Sequence, residues 1–450
     1  GLILASEIAV AVAHLFFTRL IPPRPLPQID CKKGIGASRR TVVVMPSFFR
    51  DARSTRRLLS RLETNFIANN DPEIHYAVLL DFGDAAAERM PDDDALIEAF
   101  KEGITRLNAL HPSDIPRFSL FYRQRVWNPH EGVYMGWERK RGKLREFNGL
   151  LRGKPTTYAG DAAEAAAKFG RVRYVLTIDE DTELTRDSAQ ALIGTIDHPL
   201  NRPVIDPVRN IVTEGYGIVM PRSALRFGEG AVSAFARIFG GFPGIEPYST
   251  VVSDLHLDLF GEGIYQGKGV YDVDAFETTM AGRIPENTVL SHDLLEGLYA
   301  RAGTASNAHI FEGFPSTFRA HMWRTHRWIR GDWQIIQWLF PARGGVFSVM
   351  DRWLIADNLR RSLLPVAMVI AVTSALFSPA NSLFWSAMAL TALGAGQLLP
   401  SLARVLGMVD LTDRKFTLGY RIRTSAADLS AACAKSLLLG LGLLIFASVG

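Results

Sequence analysis

The sequence predicts an α/β fold in which a mixed, largely parallel sheet is flanked by helices and followed by surface and membrane-spanning helices. Short β-branched runs alternate with helical segments through most of the chain. Two of these runs end in aspartate, at the strand ends where open α/β sheets bind ligands. From residue 362 onward the chain holds long stretches almost free of charge.

Composition and charge exclude several classes of protein. The chain has 450 residues, 48% of them hydrophobic, which suffices for a domain of about 300 residues and further segments. A net charge of +4, from 50 basic and 46 acidic residues, is too balanced for a nucleic-acid-binding protein. Cys31 and Cys433 imply neither a disulfide framework nor a zinc site. No cleavable signal peptide is evident, and the apolar ends suggest an excerpt of a longer chain.

Residues 1–38 predict an apolar helix and a linker. The apolar stretch 5–20 carries Glu7, His14 and Arg19, which favours a helix lying at a membrane surface over one that spans it. A buried helix of the following domain is the alternative. Four prolines between positions 22 and 27 then extend the chain.

Residues 39–345 predict the α/β domain. Apolar β-branched runs indicate strands, and leucines at helical spacing indicate a crossover helix. Asp81, at the end of the second strand, could accept hydrogen bonds from a nucleoside, or it could only cap a loop. The predicted strands are 41–47, 74–81, 117–123, 174–183 and 211–220, and the predicted helices are 52–65, 92–110, 145–151 and 187–196.

The stretch 174–183, YVLTIDEDTE, indicates a buried strand with an acidic carboxyl end. Strand alternation would place Asp179 and Asp181 on one face. Two carboxylates about 4 Å apart repel by roughly 4 kcal/mol at an effective dielectric of about 20. A hard divalent cation, Mg²⁺ or Mn²⁺, would remove that repulsion and could hold a diphosphate. An acidic strand end that only faces solvent is the alternative.

Four cations surround Gly142 just before the predicted helix 145–151. Because the helix dipole disfavours cations at a helix start, the arrangement favours a bound anion such as phosphate. A solvated basic turn is the alternative. The four cations are Arg139, Lys140, Arg141 and Lys143.

The segment 260–276 is rich in glycine and aromatic residues. Gly267 and Gly269 would let the backbone approach a ligand closely. Tyr265 and Tyr271 offer faces on which a sugar could stack. Taken alone, the segment indicates only a tight turn.

The segment 291–297, SHDLLEG, indicates a helix start. Ser291 could cap it by accepting a hydrogen bond from the Leu294 amide, which puts Asp293 in the first turn. An aspartate there usually interacts only with the helix dipole. If Asp293 projects into a cleft, it can instead act as a general base.

A second dense stretch, 321–333, combines arginine with tryptophan. Arg324, Arg327 and Trp328 fall on one helical face and could present cations to a diphosphate and an indole wall to a sugar. Five of the eight tryptophans lie between positions 323 and 353, which is also typical of a membrane interface.

The tail predicts a surface helix over 346–361 and membrane spans over about 362–378, 382–400 and 429–449, since roughly 20 apolar residues cross a bilayer. Basic residues precede the first span and fill the connector 410–428. The positive-inside rule then places the α/β domain in the cytoplasm. Buried helices of a soluble protein are the alternative.

The order of these motifs resembles that of the membrane-embedded processive inverting glycosyltransferases, which include cellulose and hyaluronan synthases. The residues that carry the resemblance are Asp81, Asp179-Glu-Asp181, His292-Asp293 and Arg324-x-x-Arg327-Trp328, with arginine at 324 where that group has glutamine. Longer strings resemble the glycosyltransferase domain of cyclic β-1,2-glucan synthases more specifically. They are WNPHEGVYMGWERKRGKL at 127–144, FGEGIYQGKGVYDVDAF at 260–276 and HRWIRGDWQ at 326–334.

The resemblance implies a GT-A-type fold, UDP-glucose as donor, a Mg²⁺ or Mn²⁺ ion and inversion to a β-linked product. Asp179 and Asp181 would bind the metal, and Asp293 would take the proton from the 2-hydroxyl of a glucan acceptor. The nucleotide-sugar site would comprise Asp81, Lys140, Lys143, Asp179, Arg324, Arg327 and Trp328. The acceptor site would comprise Gly267, Lys268, Tyr271 and Trp328.

The resemblance also implies a place in the cell and a longer parent chain. The protein would lie in the bacterial inner membrane, in contact with the lipid bilayer, with its catalytic domain in the cytoplasm. Full-length members of the family continue into a phosphorylase-like domain, so we expect elongation rather than ring closure from these residues. A synthase of another β-linked polysaccharide and a non-catalytic UDP-sugar-binding membrane subunit are the alternatives.

Overall fold

The structure, a computed structural model, describes residues 1–226, 233–239, 254–290 and 292–405, and the isolated positions 426, 430 and 433. The chain forms two compact units. The sheet unit comprises Pro25–Ala224 and Gly261–Gly313, and the helical unit comprises Gly1–Arg24, Leu225–Phe260 and Phe314–Gly450. The domain predicted for 39–345 stays a prediction; within it, residues 225–260 and 314–345 belong to the helical unit.

The strands among the described residues are β1 (Thr41–Phe48), β2 (Ile74–Asp81), β3 (Phe118–Arg123), β4 (Val126–Asn128), β5 (Val133–Met135), β6 (Tyr174–Thr177), β7 (Glu183–Leu184), β8 (Val204–Ile205), β9 (Val212–Glu214), β10 (Ile218–Leu225), β11 (Gly269–Asp272) and β12 (Ala302–Glu312). The helices are α1 (Leu2–Leu20), α2 (Ala52–Ala68), α3 (Asp93–Leu110), α4 (Arg139–Leu150), α5 (Ala162–Lys168), α6 (Ser188–Ile196), α7 (Ala234–Phe239), α8 (Leu255–Phe260), α9 (Val273–Met280), α10 (Asp293–Ala300), α11 (Phe318–Gln334), α12 (Pro341–Gly344), α13 (Val349–Phe377) and α14 (Ser382–Val405).

Eight strands of the sheet unit form one mixed sheet in the order β3-β2-β1-β6-β11-β10-β12-β7. The first four are parallel to one another. β11 pairs antiparallel with β6 and with β10, and β7 pairs antiparallel with β12. Helices α2, α3, α4, α6 and α9 contact these strands. The predicted α/β fold with a mixed sheet flanked by helices is confirmed.

The parallel part of the sheet is buried on both faces. Val42, Val43 and Val44 of β1 have no exposed surface, and every residue of β2 is buried. Such strands show continuous apolar runs instead of alternation, because helices cover both faces. Phe147 of α4 and Phe121 of β3 pack with their ring centroids 5.1 Å apart in this core. Packing of this core fixes the positions of the parallel strands, and the candidate site lies at their carboxyl ends.

Two predicted elements differ from the observed ones for local reasons. The helix predicted over 145–151 already begins at Arg139. The strand predicted over 211–220 is split into β9 and β10 by Gly215, which has a φ of 66° and packs against the Arg202 carbonyl. A side chain at that position would meet the carbonyl oxygen at 2.0 Å, so the turn requires glycine.

In the helical unit, α13 joins two segments that the sequence analysis had separated. The predicted surface helix 346–361 and the predicted span 362–378 form one helix, capped by Ser348 and continuous through Pro365. Its charged part is held by ion pairs of Arg360 with Asp357 at 2.8 Å and with Glu7 of α1 at 2.7 Å. The charged and the apolar parts therefore belong to one continuous helix.

Within the described residues, Val349–Phe377 is the one helix long and apolar enough to cross a membrane. Shorter apolar helical stretches cover Leu2–Thr18 and Ser382–Ala392. Leu4 of α1 packs with Met368 and Ala371 of α13 and with α14. The span predicted over 429–449 lies outside the described residues apart from positions 430 and 433.

Candidate active site

The carboxyl end of the parallel strands brings together the candidate residues of the sheet unit. β6 ends at Thr177, two residues before Asp179. β11 runs antiparallel to β6 and begins with Gly269 opposite Thr177. The loop that leads into β11, with Lys268, therefore reaches the same edge of the sheet as the aspartates.

Asp179 and Asp181, here called the acidic pair, lie in a turn beyond β6. The Thr182 amide donates to the Asp179 carbonyl at 3.1 Å and closes this turn. The predicted strand alternation therefore does not apply to the acidic pair, because the strand has ended before it. The Ser47 hydroxyl donates to the intervening Glu180 at 2.5 Å, which holds the turn against the end of β1.

Two lysines contact the first aspartate of the pair. The Lys140 Nζ lies 2.6 Å from Asp179 Oδ1, and the Lys268 Nζ lies 3.1 Å from Asp179 Oδ2. Lys268 also pairs with Glu312, at the end of β12, at 3.1 Å. Burial alone would raise the pKa of Asp179, but the two ammonium groups outweigh it and hold that pKa well below its usual range. Asp179 is therefore ionised.

The second aspartate has a different environment. Asp181 reaches solvent. Desolvation by the surrounding protein and the like charge of Asp179 raise the pKa of the Asp181 carboxyl, and Lys268 only partly offsets them. The acidic pair thus carries a repulsion that its lysines do not fully remove.

The basic segment predicted to bind an anion meets carboxylates of the protein itself. Glu138, which precedes α4, and Arg139, its first residue, adopt left-handed backbone angles, with φ of 50° and 49°. This turn directs Lys140 to Asp179. Lys143, one turn further along the helix axis, pairs with Asp81 at 3.1 Å. Asp179 and Asp81 therefore supply the negative charge that the basic helix start requires, without a bound phosphate.

Asp293 lies beside this cluster. It is in the first turn of α10, as predicted, and the proposed cap Ser291 lies outside the described residues. The Asp293 carboxylate packs against the Cα of Gly267, where a Cβ atom would lie 2.8 Å from it. The Gly267 carbonyl accepts a hydrogen bond from Lys140 at 3.2 Å. The structure therefore brings Asp179, Lys140, Gly267 and Asp293 together.

Two buried groups stand next to Asp293 on α10. The His292 Nε2 lies 3.3 Å from the Glu296 Oε1, and both side chains are almost fully buried. With Asp293 they form a group whose nearest ligand-type atoms all lie within 4.8 Å of one another. Burial lowers the pKa of His292 to about 4, and burial together with Asp293 raises the pKa of Glu296 well above its usual value.

Asp81 ends β2, as predicted, but its side chain is buried. It is 1% exposed, and both carboxylate oxygens accept hydrogen bonds from Arg123, at 2.8 and 2.9 Å. Lys143, also 1% exposed, donates to the Ser47 carbonyl at 2.5 Å. Burial and ion pairing thus engage both groups in this structure, and their nucleotide contacts stay predictions. Desolvation lowers the pKa of Lys143 to about 8, with Asp81 opposing the shift.

Tyr271, predicted to contact the acceptor, lies in the core. It is 1% exposed and donates its hydroxyl to Asn148 at 2.9 Å. Tyr265 is also buried. In this structure both rings pack in the core and neither presents an open face to a sugar. The acceptor roles of Tyr271, Gly267 and Lys268 stay predictions.

The predicted arginine-tryptophan face belongs to α11 of the helical unit. Thr317 caps this helix through the Ala320 amide at 3.2 Å. The Arg324 guanidinium lies 4.8 Å from the Trp328 ring centroid, so these residues share a face as the spacing predicted. Arg327 is exposed and Trp328 is half-buried. Their binding roles stay predictions.

The donor chemistry of the acidic pair fits a divalent cation. Mg²⁺ and Mn²⁺ prefer carboxylate oxygens, and a cation would relieve the repulsion that helps to raise the pKa of Asp181. A carboxylate offers about four lone-pair sites, so the contacts of Asp179 with two lysines leave sites for an ion.

Three contributors to the site were missed by sequence reasoning. Glu312 balances Lys268, Arg123 binds Asp81, and Glu296 lies behind Asp293. For Glu296 a signal existed, because its i+3 spacing from Asp293 puts both on one helical face. For Glu312 and Arg123 the local sequence held none, since strand pairing distant in sequence brings them to the site.

No protein-family model matches the chain. Among solved structures, S. aureus TarS 1–349 is 11% identical with a TM-score of 0.35, covering 90% of this chain and 92% of that one. The same TarS segment in complex with UDP-GlcNAc is 12% identical with a TM-score of 0.33 and the same coverage.

A curated relative is much more similar in sequence. The cyclic β-(1,2)-glucan synthase NdvB of Rhizobium meliloti (strain 1021) is 42% identical over 385 residues. The alignment covers 85% of this chain and 14% of NdvB, so the chain spans a small part of that relative's length. The predicted resemblance is thereby confirmed: over most of its length, this chain is similar to one segment of a cyclic β-1,2-glucan synthase.

Proposed function

We propose that the sheet unit is a UDP-glucose-dependent inverting glucosyltransferase of GT-A type that elongates a β-1,2-glucan chain. The observation that carries the proposal is the cluster of Asp179, Lys140, Gly267 and Asp293 at the carboxyl edge of the sheet. In this cluster Asp179 is ionised, and the ammonium group of Lys140 is suited to binding a sugar diphosphate. Asp293 adds a carboxylate in the first turn of α10. The similarity to NdvB supports the choice of glucose and of the linkage.

In the proposed reaction, Asp293 is the general base. The 2-hydroxyl oxygen of the acceptor's terminal glucose attacks the anomeric carbon of the donor, and the bond from that carbon to the diphosphate oxygen breaks. The hydroxyl proton passes to the Asp293 carboxylate, and UDP leaves. A single displacement at an α-linked donor gives a β-linked product. The products are a glucan longer by one glucose and UDP, and the hydroxyl proton is on Asp293.

Other residues of the chain hold the reactants. Lys140 and Lys268 place two positive charges next to Asp179, where they can bind the donor's diphosphate. Gly267, which carries no side chain, lets its backbone pack directly against the Asp293 carboxylate. Asp179 and Asp181 would hold a Mg²⁺ or Mn²⁺ ion, which supplies Lewis-acid stabilisation of the leaving diphosphate when bound. Arg324, Arg327 and Trp328 of α11 are proposed to contact the donor and the acceptor end.

The proposed setting is the bacterial inner membrane, with the sheet unit in the cytoplasm. The support is α13, which is long and apolar enough to span. The basic residues that the sequence places before this stretch and in the connector 410–428 set the orientation under the positive-inside rule.

The test is turnover of labelled UDP-glucose by the full chain in detergent or nanodiscs, with Mn²⁺ and a β-1,2-linked gluco-oligosaccharide. We expect UDP release, β-1,2 linkages in the product and loss of activity on chelation. Asp293→Asn should lower kcat by about 10²–10⁴-fold, the usual contribution of a general base. Asp187→Asn is the matched control and should retain activity, because this exposed aspartate pairs with Arg186 at 3.6 Å and lies outside the proposed site.

The alternatives give different outcomes. Products with another β linkage would assign the chain to synthesis of a different polysaccharide. UDP binding without turnover, equal in the wild type and in Asp293→Asn, would indicate a non-catalytic UDP-sugar-binding subunit.

A further inference from the structure

Helix α10 carries a buried carboxyl directly behind the proposed base. Glu296 follows Asp293 by three residues and is 4% exposed, and its neighbour His292 is 5% exposed. The Glu296 Oε1 lies 3.3 Å from the His292 Nε2. A buried carboxyl needs a partner or a proton, because an ionised carboxylate loses its hydration there.

Glycines on two sides fix the place of this group. Gly297 packs against Tyr265, and a Cβ atom on Gly297 would lie 2.7 Å from the Tyr265 Cβ. On the other side Gly267 packs against Asp293, with a corresponding distance of 2.8 Å. Both contacts are backbone to side chain, so α10 has little freedom to shift or rotate. Glu296 is therefore held beside Asp293 and cannot turn to solvent.

The charges around Glu296 do not favour its ionised form. Asp293 acts from its own helix and Glu277 from α9, and both disfavour a further negative charge. Lys140 and Arg141 of α4 act in the opposite sense, while Lys140 is already bonded to Asp179. Among the described residues, the uncharged side chains of His292, Tyr265 and Tyr271 also lie near Glu296. Burial is the largest effect, and the pKa of Glu296 is raised accordingly.

We propose that Glu296 and His292 form an uncharged buried pair that positions Asp293 without adding a second charge to the group of His292, Asp293 and Glu296. Glu296 is thus a positioning residue, and the inference rests on the proposed function of Asp293. A second negative charge beside the base would oppose the approach of a sugar diphosphate. An uncharged pair avoids this repulsion while filling the space behind the base.

The kinetic test compares Glu296→Leu with Glu296→Gln in the full chain. Leucine removes the polar group, so the base loses its support, and we expect kcat to fall about 10- to 100-fold while KM for UDP-glucose stays within about twofold. Glutamine is uncharged and similar in shape, so it should restore most of kcat. It should also leave the acid limb of the pH profile of kcat/KM unmoved, because the wild-type neighbour carries no charge either.

Glu277→Gln is the matched control. Glu277 is a half-buried carboxyl on α9 that accepts a hydrogen bond from Asn148 at 2.9 Å, and burial raises its pKa too. It does not contact Asp293 among the described contacts, so its replacement should change stability and leave kcat and the pH profile as in the wild type. Equal kinetic effects of the Glu277 and Glu296 variants would overturn the proposal.

A readout without turnover separates this inference from the proposed function. The infrared difference between wild type and Glu296→Gln at neutral pH should show loss of a carboxylic-acid carbonyl band. Three results would each overturn the proposal. The first is loss of carboxylate bands instead, and the second is an acid limb that Glu296→Gln shifts to lower pH. The third is Mn²⁺ binding that Glu296→Gln abolishes and Asp181→Asn does not. If the wild type fails to turn over UDP-glucose, the proposed function falls, while the infrared result still decides the state of Glu296.

Discussion

Replacing Arg123 by methionine is the sharpest test of how the sheet unit holds its candidate site. The guanidinium has no exposed surface and makes five hydrogen bonds: two to Asp81, one to Glu146, and one each to the carbonyls of Trp137 and Arg139. Methionine keeps much of the volume and none of these bonds. Asp81 would then depend on Lys143, 3.1 Å away.

The expected loss of stability follows from this geometry. Removing one partner of a buried ion pair costs about 3–5 kcal/mol. Because Lys143 still faces Asp81, we expect the lower end, about 3 kcal/mol, which for a unit of this size lowers Tm by roughly 6–12 °C. The turn through residues 137–139 also loses two anchors, so Lys140 should be held less firmly against Asp179.

The assay is thermal unfolding of the solubilised chain, followed by tryptophan fluorescence, together with UDP binding well below Tm. Arg125→Met is the control: Arg125 pairs with Asp93 at 2.6 Å and is nearly as buried, but it does not contact the turn. Arg125→Met should lower Tm and leave UDP affinity nearly unchanged, whereas Arg123→Met should lower both. Adding Asp81→Asn to Arg123→Met should not recover stability, because the buried Lys143 then loses its carboxylate partner. A Tm for Arg123→Met within about 1 °C of wild type would refute the reasoning.

Two further predictions concern the neighbourhood of Asp293. Gly267→Ala places a Cβ atom 2.8 Å from the Asp293 carboxylate at a φ of 76°, so kcat should fall at least about tenfold, while Gly282→Ala, also left-handed but with open space, should lose only stability. His292 has a pKa of about 4 in the folded chain against about 6.5 when unfolded, so between these values the unfolded state binds more protons and stability rises with pH. We expect about 3 kcal/mol of stability to be lost as the pH falls from 6.5 to 4. The His292→Gln variant should lack this contribution, so the difference in unfolding free energy between wild type and variant should change with pH by about this amount.

The sequence located what depends on local pattern. The strand over 74–81 and the first-turn position of Asp293 follow from β-branched runs and from helix-start chemistry, and the structure agrees. The acidic pair was found as a motif, although its geometry was wrongly expected on a strand instead of in a turn.

What the sequence could not supply depends on contacts between distant segments. Asp81 was expected at a strand end where it could meet a nucleoside. Because β3 pairs with β2 so that Arg123 lies opposite Asp81, the Arg123 guanidinium forms hydrogen bonds with the Asp81 carboxylate. Tyr271 was expected at a surface, but pairing of β11 with both β6 and β10 places it in the middle of the sheet. A one-dimensional pattern shows that a residue suits an edge and does not show which neighbour covers it.

The charges of the cluster explain why one arrangement can serve both an ion and a sugar diphosphate. Two ammonium groups, Lys140 and Lys268, face four carboxylates, Asp179, Asp181, Glu312 and Asp293, which leaves two net negative charges. The cluster alone would therefore repel a diphosphate, and a divalent cation would cancel this net charge and remove the repulsion. The order of binding then follows: the ion first, the donor second. UDP affinity should accordingly rise with Mn²⁺ concentration in the wild type, and this dependence should weaken in Asp181→Asn, where the ion loses a charged ligand. UDP affinity that is independent of the ion would contradict this account of the charges.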